Sequence, residues 1–172
     1  MTEEQVILVD EQDRAIGAME KVAAHENGGV RHRAFSVFIF DAQGRWLLQK
    51  RADGKYHFPG LWTNACCSHP RPGEATAAAA HRRLGEELGM DCPLTERFQF
   101  EYRAVSDAVG LTEHEIDHVF TGVFDGDLNP NPDEVGEVRW VTPTDLEHDL
   151  QANPAAFTPW FKLAVPRVRA GG

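Results

Sequence analysis

The chain has 172 residues, 42% hydrophobic and 26% charged, the proportions of a folded soluble protein; they argue against a disordered or fibrous chain and suit one domain over residues 1–172. Lys and Arg total 17 against 27 Asp and Glu, a formal net charge of −10, so the surface as a whole repels nucleic acid and anionic membranes, and neither is expected as a partner. An anionic substrate would need a local basic cluster working against that field.

Met1-Thr2-Glu3-Glu4-Gln5 is acidic, with no apolar signal-peptide core behind it, and no stretch reaches the ~20 apolar residues that span a bilayer. Val6-Ile7-Leu8-Val9 predicts a short strand, and residues 10–17 a turn leading into a second strand or loop. Residues 35–40 and 46–49, flanking Asp41-Ala42-Gln43-Gly44, predict a hairpin. Segment 52–73 carries Gly54, Pro59, Gly60, Pro70, Pro72 and Gly73 and reads mostly as loop. Residues 74–88 predict the strongest helix, Ala-rich, with an acidic first turn and Gly89 to cap it. Strands follow at 97–103, 116–124 and 137–142, then helices at 143–151 and from Thr158 to about 167. This order implies an α/β (α+β) sandwich with a mixed sheet.

Cys66, Cys67 and Cys92 are the only cysteines. Three do not make a disulfide framework, and a reducing cytoplasm is the expected location. The adjacent pair admits three readings: a vicinal disulfide, a soft-metal site, or small packing residues.

Three further clusters carry chemistry. On the predicted helix, Arg82 and Arg83 each stand four residues before a glutamate, Glu86 and Glu87, so each pair shares a face, as on many solvated helices. His25, His32, His69, Glu113 and Glu115 form a mixed N/O set suited to an octahedral divalent ion. Glu113 and Glu115, two apart, would point the same way on a strand. Spacing alone does not favour those three histidines over His57, His81, His114, His118 or His148. Finally, Lys21, Arg51, Lys55 and Arg83 would make an anion site if they converged.

The helix resembles the Nudix box, with Glu74, Arg82, Leu84, Glu86, Glu87, Gly89 and Met90 in register. Ser68 replaces the opening Gly, and Arg83 replaces a metal-binding Glu. Exchanging a carboxylate for a cation weakens a multi-metal site and adds a phosphate ligand, which argues against a Nudix hydrolase acting on nucleoside diphosphates. A further alternative, a metal- or diphosphate-binding sensor without turnover, has no supporting feature.

The blocks Pro59-Gly60-Leu61-Trp62-Thr63-Asn64, Cys67-Ser68-His69-Pro70, Glu101-Tyr102-Arg103, Glu113-His114-Glu115 and Phe157-Thr158-Pro159-Trp160 together resemble the type I isopentenyl diphosphate isomerases, a Nudix-fold family, over nearly the whole chain. The resemblance implies a mixed sheet between helices. It implies that His25, His32, His69, Glu113 and Glu115 ligate one divalent metal (Mn²⁺, Mg²⁺ or Zn²⁺), and that Cys67 and Glu115 act as an acid/base pair assisted by Tyr102. Lys21, Arg51, Lys55 and Arg83 would bind a small-molecule diphosphate with Ser36 and Trp160, and Mg²⁺ would bridge the diphosphate to Glu87. Trp160 could lay its indole over a carbocation, worth ~2 kcal/mol or more when desolvated; its other reading is a core aromatic. A monomer is expected.

Overall fold

The computed structural model describes residues 4–106 and 110–171. In chain order these form β1 (Gln5–Val9), β2 (Ala15–Glu20), α1 (Lys21–His25), β3 (His32–Phe40), β4 (Trp46–Arg51), β5 (Trp62–Thr63) and β6 (Cys66–Ser68). Then come α2 (Thr76–Leu88), β7 (Thr95–Ser106), β8 (Leu111–Val123), β9 (Val135–Val141), α3 (Pro143–Ala152), a 3₁₀ turn (Pro154–Ala156) and α4 (Pro159–Arg169). Among the described residues, no helix is long and apolar enough to cross a membrane.

β3 is the spine of a mixed sheet. One edge runs parallel to β8, with His32 beside Glu115 and Phe40 beside Val123. Its other edge is shared by β1 at His32, by β6 at Phe35–Val37 and by β4 at Phe40. The expected hairpin therefore pairs only at its tip, Phe40 with Trp46, and β4 turns away to pair with β9 and β5.

Alternation along the strands sorts the core into two layers. Phe35, Val37, Ile39, Leu47 and Cys66 pack with Ala79, Ala80, Leu84 and Leu88 of α2. Phe38, Trp46, Leu48, Val119 and Tyr102 pack with Trp160, Phe161 and Ala164 of α4, and Cys67 leans on that layer. Helices thus cover both faces of the sheet.

Several boundaries differ from the sequence reading. Segment 52–73 contains β5 and β6, so Cys67 lies on a strand. The strand expected at 116–124 begins at Leu111, which takes in Glu113 and Glu115. α2 begins at Thr76, after Ala75 as its N-cap, and its first turn holds no acidic residue. Glu74 lies ahead of the helix, accepting from the Arg71 N–H at 2.9 Å and from Arg82 at 2.8 and 2.9 Å. The C-terminus is as expected: Gly89 adopts φ 62° and its N–H bonds the Gly85 carbonyl. Thr158 precedes α4 without capping it; its hydroxyl pairs with Thr63 at 2.8 Å.

Candidate active site

The strand alternation that builds the core also gathers the site. On β8, Glu113, Glu115 and Asp117 share the face of Val119, which packs toward α4. His32 and Ser36 share the face of Phe38 on β3. Next to β3, Cys67 faces α4 while Cys66 faces α2. Asn64 braces this strand, its Nδ2 donating to the carbonyls of Val37 (3.1 Å) and Cys66 (2.7 Å). The register of β4 against β9 shifts between Lys50 and Arg51. Such a shift breaks strict alternation, and the Arg51 guanidinium lies 5.5 Å from the Trp160 ring centroid, with Nη1 3.7 Å from the Cys67 sulfur.

These residues surround one cleft enclosing about 380 Å³ with its open mouth, lined by Lys21, Ser36, Arg51, Lys55, His57, Cys67, His69, Tyr102, Glu113, Glu115 and Trp160 among others. Trp160 is both core and lining: it is buried, and its ring stands edge-on to Phe58 at 5.5 Å.

Deeper in, imidazoles meet carboxylates. Glu115 Oε1 lies 3.2 Å from His32 Nε2 and 2.9 Å from His69 Nε2, and those two nitrogens are 3.3 Å apart. His25 Nε2 is 3.8 Å from both Glu113 and Glu115 and has no hydrogen-bond partner among the described residues. His25 Nδ1 lies 2.6 Å from the Lys21 carbonyl, and His32 Nδ1 2.7 Å from that of Val30. A proton on each Nδ1 satisfies the carbonyl and turns the Nε2 lone pair inward, the usual support for a metal-ligating histidine. Gly29 helps close the cluster: at φ 76° it approaches β8 so closely that a Cβ would stand 2.9 Å from the Thr112 carbonyl.

The environment drives neighbouring pKa values apart. Burial, then the Glu115 charge, holds the Glu113 carboxyl well above its ordinary value. For Glu115 burial acts in the same direction but is outweighed by hydrogen bonding from Glu113 and by His69, His25 and His32, so its pKa lies well below normal. Burial lowers His69 to about 3 and lifts the Cys67 thiol to about 12 against the pull of Arg51. Tyr102 donates to Glu115 at 2.6 Å or Glu113 at 3.0 Å, and burial raises its pKa too.

The structure therefore brings together His25, His32, His69, Glu113, Glu115, Tyr102, Cys67, Ser36, Lys21, Arg51, Lys55 and Trp160. It leaves Arg83 and Glu87 outside the cleft lining. Both are buried, contrary to a solvated helix face. Glu87 accepts from Gln49 at 3.2 Å, the Cys66 thiol at 3.1 Å and Arg83 at 3.2 Å, all within the α2 layer. Cys66 is thus a free, buried thiol in a polar contact.

Among the described residues, two groups are able to hold a metal ion: His25, His32, His69 and Glu115, and also His25, His57 and Glu113. His57, whose Nε2 contacts Glu113 Oε1, was one of the histidines that spacing could not tell from the expected three, and the partly buried Tyr56, 3.3 Å from His25 Nδ1, escaped the sequence reading. Both lie in the Gly/Pro-rich segment, where no periodicity assigns a side chain to a face.

The NUDIX domain family matches residues 30–161. Isopentenyl-diphosphate Delta-isomerase 2 of Aromatoleum aromaticum is 51% identical over 166 residues, 96% of this chain and 87% of that protein. The chain belongs to the NUDIX family and, within it, to the isopentenyl-diphosphate Delta-isomerases. Isopentenyl-diphosphate Delta-isomerase of Nocardia farcinica is 53% identical over 156 residues, covering 91% of this chain and 89% of that protein. Among solved structures, the DR0079 protein of Deinococcus radiodurans superposes with a TM-score of 0.76 at 22% identity, covering 95% and 98% of the two chains. That likeness shows the fold, and the isomerase membership rests on the sequence relatives.

Proposed function

We propose that this chain is an isomerase interconverting isopentenyl and dimethylallyl diphosphate, with Cys67 and Glu115 as its acid/base pair. The observation that carries this reading is the shared cleft: a sulfur from β6 and a carboxylate from β8 line it together with Tyr102, Arg51 and Trp160.

Moving a double bond in an unactivated alkene adds a proton at one carbon and removes one two bonds away, through a tertiary carbocation that an acid and a base must flank. Burial keeps the Cys67 thiol protonated, while Glu115 is held ionised, so one partner carries a proton and the other can take one. Each serves as acid in one direction and base in the other. The Tyr102 hydroxyl assists protonation at Glu115. The indole of Trp160 faces the same cleft, where an aromatic surface stabilises a cation and helps exclude the water that would trap it as an alcohol. Lys21, Arg51 and Lys55 on the cleft wall bind the diphosphate, with Ser36 beneath, its hydroxyl anchored on Asp117 at 2.7 Å.

The inward Nε2 atoms of His25, His32 and His69, together with Glu113 and Glu115, fit a divalent ion, Mn²⁺, Mg²⁺ or Zn²⁺. Such an ion supplies positive charge that makes a neighbouring carboxyl more acidic. The fit is poorer for Mg²⁺ at Glu87, whose carboxylate already accepts from Gln49, Cys66 and Arg83. Residues 1–172 form one domain in this reading, acting as a monomer in the cytoplasm without nucleic acid or membrane partners.

Incubation with isopentenyl diphosphate in heavy water, with divalent metal supplied, is expected to place deuterium in both isomers; no label overturns the proposal. Cys67→Ala should abolish turnover while leaving fold and metal content intact. A near-normal rate would identify a different acid/base partner.

A further inference from the structure

One cation assigned to the diphosphate, Lys55, is held by a carboxylate that also reaches the α2 side of the sheet. Glu134, at the end of the turn before β9, pairs through Oε2 with the Lys55 ammonium and lies 3.3 Å from Arg83 Nη2. Among the described residues it is the one carboxylate in ion-pair distance of both. It joins Lys55, on the cleft wall, to Arg83, on the α2 side of the sheet. Its backbone is braced: the Glu134 carbonyl accepts from Ala52 at 3.1 Å, its N–H donates to Asn131 at 3.0 Å, and the Asn131 N–H reaches the Glu87 carbonyl at 2.8 Å. Across the cleft, Glu4 meets Lys21 in the same manner, at 2.7 Å.

Two neighbouring cations repel each other, and a carboxylate between them offsets that repulsion in the free protein. A diphosphate carries more charge than one carboxylate and competes for the Lys55 nitrogen, the one of the two cations that lines the cleft. Substrate and product of the isomerisation bear an identical diphosphate, so a tighter grip on that group lowers both equally and adds nothing to the chemical step.

Resting on the isomerase reading, we propose that Glu134 is a resident counter-anion of the diphosphate site: it holds Lys55 in the free enzyme, yields it to the entering diphosphate and takes it back on release, while Arg83 steadies the Glu134 carboxylate from the α2 side. It is a positioning residue that sets affinity and leaves the proton transfers untouched.

The test measures binding of inorganic pyrophosphate with Mg²⁺ by calorimetry to the full chain, to Glu134→Gln and to Glu134→Asp. Glu134→Gln is expected to bind pyrophosphate about three- to tenfold tighter, the scale of one or two partly exposed ion pairs. Its KM for isopentenyl diphosphate should fall by a similar factor without a rise in kcat. Glu134→Asp, which keeps the charge but retracts it, should fall between the two. Unchanged or weaker pyrophosphate binding by Glu134→Gln, with wild-type binding intact, overturns the inference alone; if that variant misfolds, Glu134→Asp binding more weakly than wild type does the same. No pyrophosphate binding by the wild type overturns the isomerase reading and the inference together.

Discussion

The two faces of the sheet carry buried polar clusters of opposite character. On the α2 face, Glu87 is satisfied by Gln49, Cys66 and Arg83, and Arg83 is paired again with Glu86 at 2.7 Å. Burial alone would weaken the Arg83 cation, but Glu87, Cys66 and Glu134 outweigh it and raise its pKa. On the α4 face, four imidazoles (His25, His32, His57 and His69) and two carboxylates crowd together; among the described residues His25 Nε2 has no hydrogen-bond partner, and the His32 and His69 Nε2 atoms face each other at 3.3 Å. A satisfied network rigidifies a fold, whereas convergent groups with unmet valence mark a place where something binds. The Nudix-box helix here braces one face, and the proposed chemistry occupies the other.

The largest effect that separates the faces comes from exchanging one carboxylate on each. Glu115→Gln is expected to lower kcat by about 10³–10⁴-fold, the scale of a lost general acid/base, and to strip the divalent ion measured by elemental analysis. Glu87→Gln should retain that ion. Equal loss of the His/Glu-site ion in both variants would show that the two clusters are not independent.

A smaller loss is expected on the same face from Tyr102→Phe. Its hydroxyl is 2.6 Å from Glu115 while its ring stacks on Phe100 at 5.5 Å, so packing survives and a donor disappears. We expect kcat to fall about 10- to 100-fold with KM near wild type. A change confined to KM would make Tyr102 a binding residue instead.

What could be read from the sequence follows the same division. Alternation on strands is a strong local signal: Glu113 and Glu115, two apart, share a face once they lie on a strand, but the strand read at 116–124 stopped short of them and the structure extends it back to Leu111. The Nudix-box spacing likewise located Gly89 and both Arg–Glu pairs. Spacing could not tell that Arg83 and Glu87 would turn inward under Cys66, because burial of a helix face depends on which strand lies beneath it. Nor could it select His57, which approaches Glu113 from an irregular segment where Phe58 takes φ 48°. The hairpin from β3 to β4 was legible as two strands and a turn, yet its pairing was not, since β6 and β1 compete for the same edge of β3.

Cys66 and Cys67 offer a sharper comparison, because adjacent strand residues look in opposite directions. Cys66→Ala removes the thiol donated to Glu87 and leaves a small void in the α2 layer, at a cost of about 1–3 kcal/mol in urea unfolding. Its turnover should stay within a few-fold of wild type, unlike that of Cys67→Ala. A Cys66→Ala enzyme that is fully stable yet inactive would place the chemistry on the α2 face after all.

The smallest effect lies where α2 meets the preceding loop. Arg82 grips Glu74 through two nitrogens, at 2.8 and 2.9 Å, and this bonding from Arg82 lowers the Glu74 pKa despite partial burial. A carboxyl whose folded pKa is depressed adds stability that is present above its unfolded value, ~4.3, and is lost as pH falls through the folded value. Glu74→Gln should therefore cost about 0.5–1.5 kcal/mol at pH 7, and the difference from wild type should shrink as pH drops below ~4. The measurement is a pair of urea titrations at each pH. A deficit that stays constant down to pH 3 would assign the loss to altered packing at the helix start and leave the ion pair without a stabilising role.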